Sequence, residues 1–325
     1  LKGVYPNFEV VYAGKAFLTQ AVCGLVYQEG LGLDVVSGGE LYTALQAGFP
    51  AERINFHGNN KSRAELMMAL KNGVGRIMVD SLMELETLIQ LAMETRTQPQ
   101  IMLRLKPVVV AHTHTYAQTG QEDSKFGMGI NDGVAMKAVK IALASPHLKL
   151  LGFHSHIGSQ IFEVAPFKAT VDVLTAFMAE IRTQTGFVAQ VLDLGGGFGI
   201  GHNKQEKPRA LREIVAEIGR YARERLTALQ YPLPRLVLEP GRSIIGPAGT
   251  TIYTVGNIKR IPGIRTYLAV DGGMTDNPRV ALYQAVYEGA LANKMNAPLT
   301  EVVTVTGKCC ESGDMLIWDL PLAVP

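Results

Sequence analysis

The sequence predicts an α/β protein: a (β/α)8 barrel of the TIM type followed by a mainly β second domain. Three observations lead to this prediction. Eight strands separated by seven helical segments are spread over roughly 230 residues, which is the usual size of such a barrel. Glycine-rich turns come late in the pattern, whereas an open dinucleotide-binding sheet has its glycine turn after the first strand. Beyond Arg242 the helical pattern stops, and β-branched runs separated by Gly, Pro and Asn turns replace it.

Eight short apolar runs, each closed by polar residues or glycine, are the predicted barrel strands. They comprise residues 8–15, 33–36, 54–57, 76–79, 101–105, 148–153, 191–194 and 236–238. Segments with helical periodicity separate the strands. Three of them are predicted at residues 18–28, 40–47 and 133–144, a further one begins at about residue 63, and another follows Ser81, which is predicted to be its N-cap. We therefore expect a barrel domain over residues 1–242. A β domain over residues 243–325, with strands near 250–260, 266–270 and 301–306, is expected to follow.

Composition excludes several classes of function. Lys and Arg number 31 and Asp and Glu number 29 in a chain of 325 residues, and no basic patch with interleaved aromatics appears, so nucleic acid is not an expected partner. No apolar run approaches the length of a membrane span and no signal peptide opens the chain, so no membrane association is expected. The three cysteines form no disulfide framework, which predicts a cytoplasmic protein.

Polar residues recur where the predicted strands end, which in a barrel is the rim that carries active sites. They are Lys15, Asp34, His57, Asp80, Arg104, His156, the triple glycine 195–197 and Glu239. A lysine can form a Schiff base if its pKa is lowered, and glycines after the seventh strand let backbone N–H groups approach a phosphate. An acidic residue can pair with a pyridine nitrogen and keep it protonated. Taken together, these groups suggest pyridoxal 5′-phosphate as the cofactor.

Five segments carry a resemblance to a known family. They are YAGKA (residues 12–16), HSHIGSQ (154–160), DLGGGFG (193–199), EPGR (239–242) and CESGD (310–314), in that order. Together they resemble the fold-type III pyridoxal-phosphate decarboxylases, which share the alanine-racemase-like barrel. DVVSGGEL (34–41) and SKFG (124–127) resemble the diaminopimelate decarboxylase branch of that family. The resemblance covers nearly the whole chain.

The resemblance implies a role for each matching residue. Lys15 corresponds to the Schiff-base lysine, and Cys310 to a cysteine that protonates the carbanion and reaches the site across a homodimer interface. The cofactor-binding positions are Lys15, Asp34, Arg104, His156, Ser159, Gly196, Gly197, Glu239, Gly241 and Arg242. The substrate-binding positions are Arg242, Arg279, Tyr283 and Glu311.

The expected reaction is decarboxylation of meso-2,6-diaminopimelate to L-lysine and carbon dioxide. A substrate with a distal amino-acid head needs arginines to hold the distal carboxylate and an acceptor such as Glu311 for its ammonium group. Ornithine, arginine and carboxynorspermidine are the competing substrates. An inactive cofactor-binding regulator and a racemase-like enzyme are the competing functions, although retention of Lys15, Glu239 and Cys310 argues against the regulator.

Two further expectations concern metals and the chain ends. His154 and His156 are two apart on a strand and could be metal ligands, but no further His or carboxylate set completes a site, so no metal is expected. His112 and His114 have the same spacing but lie in a polar loop, where solvent exposure is expected. We expect His154 to be a structural histidine at a strand end. The family's N-terminal strand is missing before Leu1 and its cofactor-binding tyrosine after Pro325, so the chain is expected to be truncated at both ends.

Overall fold

The computed structural model describes residues 1–109, 123–203 and 206–325, and the chain divides into two compact units. The first unit comprises Leu1–Ile200 and Arg209–Ala248, and the second comprises Gly201–Pro208 and Gly249–Pro325. His112 and His114 lie outside the described residues. Within the described residues, no helix combines the length and the apolarity needed to cross a membrane.

The first unit is built on a closed parallel barrel. Its strands are β1 (Phe8–Ala13), β2 (Gly32–Val35), β3 (Ile54–Phe56), β4 (Arg76–Val79), β5 (Gln100–Lys106), β7 (Lys149–His154), β8 (Val191–Asp193) and β9 (Arg235–Leu238). Each strand pairs in parallel with its neighbours, β4 pairs with β5, β5 with β7, and β9 returns to β1. A two-residue strand, β6 (Met128–Gly129), adds to β5. The predicted barrel is therefore confirmed.

Helices follow the strands as the sequence predicts. They are α1 (Gln20–Gln28), α2 (Gly38–Gln46), α3 (Arg63–Asn72), α4 (Leu82–Thr95), α5 (Val134–Ala144), α6 (Ala165–Thr185), α7 (Leu211–Ala228) and the short α8 (Arg242–Ile245). The first four begin at hydroxyl N-caps, where Thr19, Ser37, Ser62 and Ser81 accept a hydrogen bond from a backbone N–H of the first turn. Such caps satisfy N–H groups that would otherwise lack partners, and they define where each βα loop ends.

The barrel interior is layered. A middle layer of apolar side chains is formed by Val11, Met78, Met102, Leu151, Val191 and Val237. At the amino-terminal end, Glu9 forms ion pairs with Arg76 and Arg235. Because side chains alternate along a strand, the residue two positions beyond each of Met78, Met102, Val191 and Val237 also faces inward, at the carboxyl end of the barrel. Strand β7 is an exception, because its pairing with β5 shifts register at Leu151, and His154 rather than Phe153 reaches the interior. This alternation brings polar residues to the predicted rim.

The first strand is shorter than predicted. It ends at Ala13, and Lys15 lies in a single 3-10 turn, Gly14–Ala16. The chain turns there because Gly14 packs closely on strand β2. A Cβ atom at Gly14 would lie 2.6 Å from the carbonyl oxygen of Asp34. Lys15 is therefore carried on a tight turn after the strand rather than on the strand itself.

The second unit contains a four-stranded sheet in the order β10 (Val255–Ile261), β11 (Arg265–Val270), β12 (Glu301–Thr306), β13 (Met315–Leu322). Strands β11 and β12 are parallel and the other two pairs are antiparallel. A short helix, α9 (Arg279–Tyr283), precedes β12. Strand β10 starts five residues later than predicted. Strand β13 was not predicted, because Pro321 and a left-handed Asp319 (φ 49°) interrupt the pattern of an ordinary strand.

Candidate active site

The carboxyl end of the barrel gathers charged and polar groups from six strands or the turns after them. Lys15 follows β1, Asp34 is on β2, Arg104 on β5 and His154 on β7, while Asp193 ends β8 and Glu239 follows β9. All of these except Lys15 are buried. Of the barrel residues predicted as site residues, Lys15, Asp34, Arg104, His156 and Glu239 lie close enough for their charges to influence one another's pKa values.

The triple glycine after β8 forms a turn that only glycine can occupy. Gly195 and Gly197 have positive φ angles of 66° and 95°. A Cβ atom at Gly196 would lie 2.0 Å from the carbonyl oxygen of Glu239, and one at Gly197 would lie 2.1 Å from that of Gly158. The turn is therefore packed tightly against its neighbours, in a backbone conformation of the kind that glycine-rich phosphate-binding loops use.

The loop after β7 is fastened to this glycine turn. The Ile161 N–H donates to the Gly197 carbonyl, and the Gly199 N–H donates to the Ile161 carbonyl, both at 2.9 Å. The Gln160 side chain accepts a hydrogen bond from the Ile200 N–H at 3.1 Å and donates one to the Ile200 carbonyl at 3.0 Å. Half-buried Ser159 lies within this loop. Both loops are thus held in one defined arrangement.

His156 is held in a single protonation state. Its Nδ1 accepts a hydrogen bond from the Gly196 N–H at 3.2 Å, so the ring proton is on Nε2. Burial holds the pKa of His156 well below its usual value, and the charges of Lys15 and Arg104 lower it further. The ring is therefore a neutral imidazole beside the glycine turn.

Glu239 is bound by two histidines. His154 Nε2 lies 3.1 Å from Glu239 Oε2, and His57 Nε2 lies 2.9 Å from Glu239 Oε1 and 3.4 Å from Asp34 Oδ1. Burial alone would raise the pKa of Glu239, but His57 and His154 outweigh it and hold that pKa well below the usual value. Burial and the negative charge of Glu239 raise the pKa of the adjacent Asp193 well above its usual value. Glu239 therefore carries the negative charge of the pair.

Arg104 is positioned by the SKFG segment. Its guanidinium lies 4.3 Å from the ring centroid of Phe126 and 3.8 Å from Asp80 Oδ1. Gly127 has φ 74°, and a Cβ atom there would lie 3.2 Å from the Arg104 carbonyl oxygen. The segment therefore stacks an aromatic ring on the arginine, and Asp80 neutralises part of its charge.

Lys15 has the electrostatic environment of a reactive amine. Burial lowers the pKa of Lys15 and the nearby Arg104 lowers it further, while Glu239, Asp34 and Glu40 raise it. The side chain is nevertheless exposed to solvent, so it is surrounded by protein but reachable from the opening of the barrel, and water screens part of the shift. A lowered pKa leaves more of the amine uncharged and nucleophilic.

The remaining predicted residues are near α8 or in the second unit. Gly241 is buried before α8, and Arg242 is the first residue of that helix. Cys310 and Glu311 are exposed in the turn between β12 and β13, and Arg279 and Tyr283 lie on α9. The guanidinium of Arg279 lies 5.6 Å from the Tyr283 ring centroid.

The turn that carries Cys310 is organised by Asp314. This buried carboxylate accepts hydrogen bonds from the Met274 N–H at 2.6 Å and from the Cys309 N–H at 2.8 Å. A Cβ atom at Gly307 would lie 2.2 Å from the Asp314 carboxylate, so glycine is required beside it. The hydrogen bond to Asp314 raises the pKa of the Cys309 thiol, which keeps this neighbour of Cys310 protonated.

Sequence reasoning placed His57 at the rim without a role and treated His154 as a structural histidine. The structure instead places both on the Glu239 carboxylate. Among the described residues, these three form the only cluster with metal-ligand spacing, and it contains His57 in place of His156, the neighbour of His154 considered from the sequence. The position of His57 directly after a predicted strand pointed to the rim, whereas His154 reaches the site through a register shift in the pairing of β5 with β7, which local alternation does not reveal. Their shared partner could not be inferred from local pattern.

The arrangement suits pyridoxal phosphate. Glu239 is a buried carboxylate whose pKa is held well below the usual value by His57 and His154, as expected of an acceptor for a protonated ring N–H, and Asp34 lies beside it on His57. The glycine turn suits a phosphate, and Lys15 suits an aldehyde. The donor set therefore matches the three functional groups of this cofactor.

Comparison with known proteins agrees with this geometry. The family model for the pyridoxal-dependent decarboxylase, pyridoxal binding domain, matches residues 1–246. The diaminopimelate decarboxylase of Bacillus subtilis (strain 168) is 51% identical over 314 residues, covering 97% of this chain and 72% of that protein. The diaminopimelate decarboxylase of Halalkalibacterium halodurans is 52% identical over 314 residues, with the same coverage of 97% and 72%.

A solved structure shows the same similarity. The diaminopimelate decarboxylase from M. jannaschii in co-complex with L-lysine matches with a TM-score of 0.87 and 32% identity, over 98% of this chain and 72% of that one. Fold, site and sequence therefore agree. The chain belongs to the pyridoxal-phosphate-dependent decarboxylases, in the diaminopimelate decarboxylase family.

Proposed function

We propose that this chain decarboxylates meso-2,6-diaminopimelate to L-lysine and carbon dioxide, the last step of lysine biosynthesis. The observation that carries the proposal is the gathering of Lys15, the glycine turn and Glu239 at one barrel rim, in a chain 51% identical to a diaminopimelate decarboxylase. The relative from M. jannaschii was solved with L-lysine, which would be the product here.

The barrel unit holds the cofactor in this proposal. Lys15 binds the aldehyde, the turn containing Gly196 and Gly197 binds the phosphate together with Ser159 and the segment 241–242, and Glu239 pairs with the ring nitrogen. Bound pyridoxal phosphate supplies an electron sink for the pair released when carbon dioxide leaves Cα. Glu239, held ionised by its histidines, would keep the ring nitrogen protonated, and the neutral His156 would contact the ring. Arg104 and Asp34 are further cofactor-binding residues.

The second unit supplies the proton donor and the substrate contacts. Cys310 delivers a proton to Cα after carbon dioxide has left, and Asp314 holds the backbone of its turn. Arg242 and Arg279 bind the distal carboxylate, Tyr283 lines the site, and Glu311 accepts the distal ammonium. Arg279 is ordered for this role, since its Nε donates to the Tyr287 hydroxyl at 2.9 Å.

We further propose that the protein is a homodimer with shared active sites and that it functions in the cytoplasm. The shared site rests on the family resemblance, in which the residue matching Cys310 comes from the neighbouring subunit. The location rests on the cysteines, because Cys23, Cys309 and Cys310 are all free thiols.

Turnover assays on the purified protein test the function directly. Carbon dioxide release should be far faster from meso-diaminopimelate than from ornithine, arginine or carboxynorspermidine. The Lys15→Ala variant should lose both turnover and the visible absorbance of lysine-bound pyridoxal phosphate, because the aldehyde then lacks the amine that it binds. If another of the four compounds is decarboxylated faster, that compound and not diaminopimelate is the substrate of this enzyme. No release from any of the four would favour the inactive regulator.

A further inference from the structure

The carboxylate of Glu239 has one histidine for each of its oxygens. His57 Nε2 lies 2.9 Å from Oε1 and His154 Nε2 lies 3.1 Å from Oε2. The two imidazole rings are 4.9 Å apart between centroids and inclined at 72°, so they approach the carboxylate from two directions. His57 follows β3, His154 ends β7 and Glu239 follows β9, so three separate parts of the barrel wall meet at one carboxylate.

The two histidines differ in charge. Burial would lower the pKa of His57, but Glu239 and Asp34 outweigh it and raise that pKa to about 9, so His57 is a cation at neutral pH. Burial lowers the pKa of His154 to about 4, and the attraction of Glu239 opposes this only in part. His154 is therefore neutral and donates through Nε2. Glu239 thus meets one cation and one neutral donor.

The other titratable groups around Glu239 do not take the place of His57 and His154 as close partners of its carboxylate. Asp193 on β8 and Asp34 on β2 are carboxyl groups, and burial together with the negative charge of Glu239 raises the pKa of both, that of Asp34 to about 6. Lys15 after β1 and Arg104 on β5 are cations in the same rim, but no ion pair joins either of them to Glu239 within the described residues. An ionised buried carboxylate without close partners would be strongly disfavoured.

We propose that His57 and His154 are positioning residues for pyridoxal phosphate: by binding both oxygens of Glu239 they keep it ionised and oriented toward the ring nitrogen. The proposal rests on the cofactor, which the family establishes, and not on which amino acid is decarboxylated. In this proposal His57 and His154 strengthen one contact, the pairing of Glu239 with the ring nitrogen. Replacing either histidine should therefore weaken the binding of a cofactor that has this nitrogen more than the binding of one that lacks it.

A pair of cofactors isolates this contact. Pyridoxal phosphate and 1-deaza-pyridoxal phosphate carry the same aldehyde and phosphate and differ in the ring atom that would face Glu239. After the native cofactor is removed, the dissociation constant of each is measured by absorbance titration of wild-type protein and of His57→Gln, His154→Gln and Glu239→Gln. Glutamine keeps an N–H donor but cannot carry the charge of His57. His147→Gln, a histidine outside the rim, is the matched control.

We expect the wild-type protein and His147→Gln to prefer pyridoxal phosphate, and Glu239→Gln to lose most of that preference. His57→Gln should reduce the preference about tenfold or more, as loss of a charge-assisted contact does. His154→Gln should reduce it less, because the amide replaces the lost donor. As pH is lowered, Glu239 becomes protonated and the preference for pyridoxal phosphate should disappear. In His57→Gln this loss should occur at a higher pH than in wild-type protein, because Glu239 is protonated more readily without the charge of His57.

The proposal would be overturned if His57→Gln kept the wild-type preference for pyridoxal phosphate over the 1-deaza analogue. This holds whether both cofactors bind normally or both bind more weakly, and it would leave His57 with a packing role only. Thermal unfolding of each cofactor-free variant shows which of these two cases applies. Stoichiometric zinc in cofactor-free wild-type protein that is absent from His57→Gln would also overturn it, because the cluster would then be a metal site. None of these results depends on the diaminopimelate assay.

Discussion

At the scale of single residues, charge at the rim is set by neighbours more than by residue type. Asp34, Asp193 and Glu239 are three buried acidic residues in one cluster, yet only Glu239 has its pKa pushed well down. The difference is that Glu239 contacts both His57 and His154, whereas Asp34 contacts only His57 of the two, at 3.4 Å. Glu239 is therefore the carboxylate of this cluster that is held most firmly in its ionised form, as a partner of a protonated ring nitrogen must be.

The raised pKa of His57 predicts a pH-dependent stability. The folded-state pKa of about 9 lies above the ordinary value of 6.5, so the pairing stabilises the protein fully below about pH 6.5 and is lost as pH rises through about 9. His57→Gln should remove this contribution, which is at most about 3 kcal/mol. The difference in unfolding free energy between wild-type protein and variant should therefore shrink between pH 6.5 and pH 9.5.

Urea unfolding of both cofactor-free proteins at the two pH values measures this difference. Groups that titrate equally in the two proteins, such as the tyrosines, cancel in the comparison. If the difference in unfolding free energy between wild-type protein and His57→Gln is the same at both pH values, His57 is uncharged in the folded protein.

At the scale of elements, the loops after β7 and β8 act as one structure because backbone bonds join them, and glycine is required where they touch. Gly196 is in contact with the backbone at Glu239, and Gly197 with the backbone at Gly158. These loops belong to different βα units that are adjacent in the barrel. Their contact joins two connections into one structure with a defined backbone arrangement.

A matched pair of glycine substitutions tests this point. Gly196→Ala should weaken pyridoxal-phosphate binding at least tenfold and lower stability by about 2 kcal/mol or more, because a Cβ atom 2.0 Å from a carbonyl oxygen must displace the backbone. Gly24→Ala is the control: it lies within α1 and its Cβ would meet nothing within 4 Å. Alanine there should raise stability by about 0.5–1 kcal/mol and leave cofactor affinity unchanged.

Cofactor titration and thermal unfolding of the two variants provide the measurements. Normal cofactor affinity in Gly196→Ala would show that the turn can move without loss of the site.

At the scale of the whole molecule, the proposed chemistry is divided between two units. The barrel unit carries the groups assigned to the cofactor, and the second unit carries the proposed proton donor Cys310 and the substrate residues on α9. Each unit has its own apolar core. The proposed shared site would therefore require Lys15 from one subunit and Cys310 from the other.

Mixing inactive subunits tests this arrangement. Lys15→Ala and Cys310→Ala should each be nearly inactive alone. When equal amounts of the two variants are mixed under conditions that allow subunit exchange, half of the dimers should become heterodimers. Each heterodimer has one intact site out of two, so about a quarter of the wild-type activity should return. Decarboxylation assays before and after exchange measure it, with each variant incubated alone as the control. Activity that stays absent after verified exchange would place both residues of a site in the same subunit.

The sequence by itself determined the barrel and the composition of its rim. Periodicities of two and of about 3.6 identify strands and helices locally, and closure of parallel strands brings their carboxyl ends together whatever the details of packing. Local pattern alone therefore places Lys15, the glycine turn and Glu239 at one rim. The irregular strand β13 was missed, because Asp319 and Pro321 break the local alternation on which strand prediction depends.

Only the tertiary structure decided which rim residues touch. His57, His154 and Glu239 are separated along the chain and meet because the stagger and closure of the barrel set the distances across its interior. Those distances depend on all the strands together, so no local pattern records them. The same holds for charge: burial and neighbours made His57 a cation, left His154 neutral and kept Glu239 ionised, although the residue types alone allow other states.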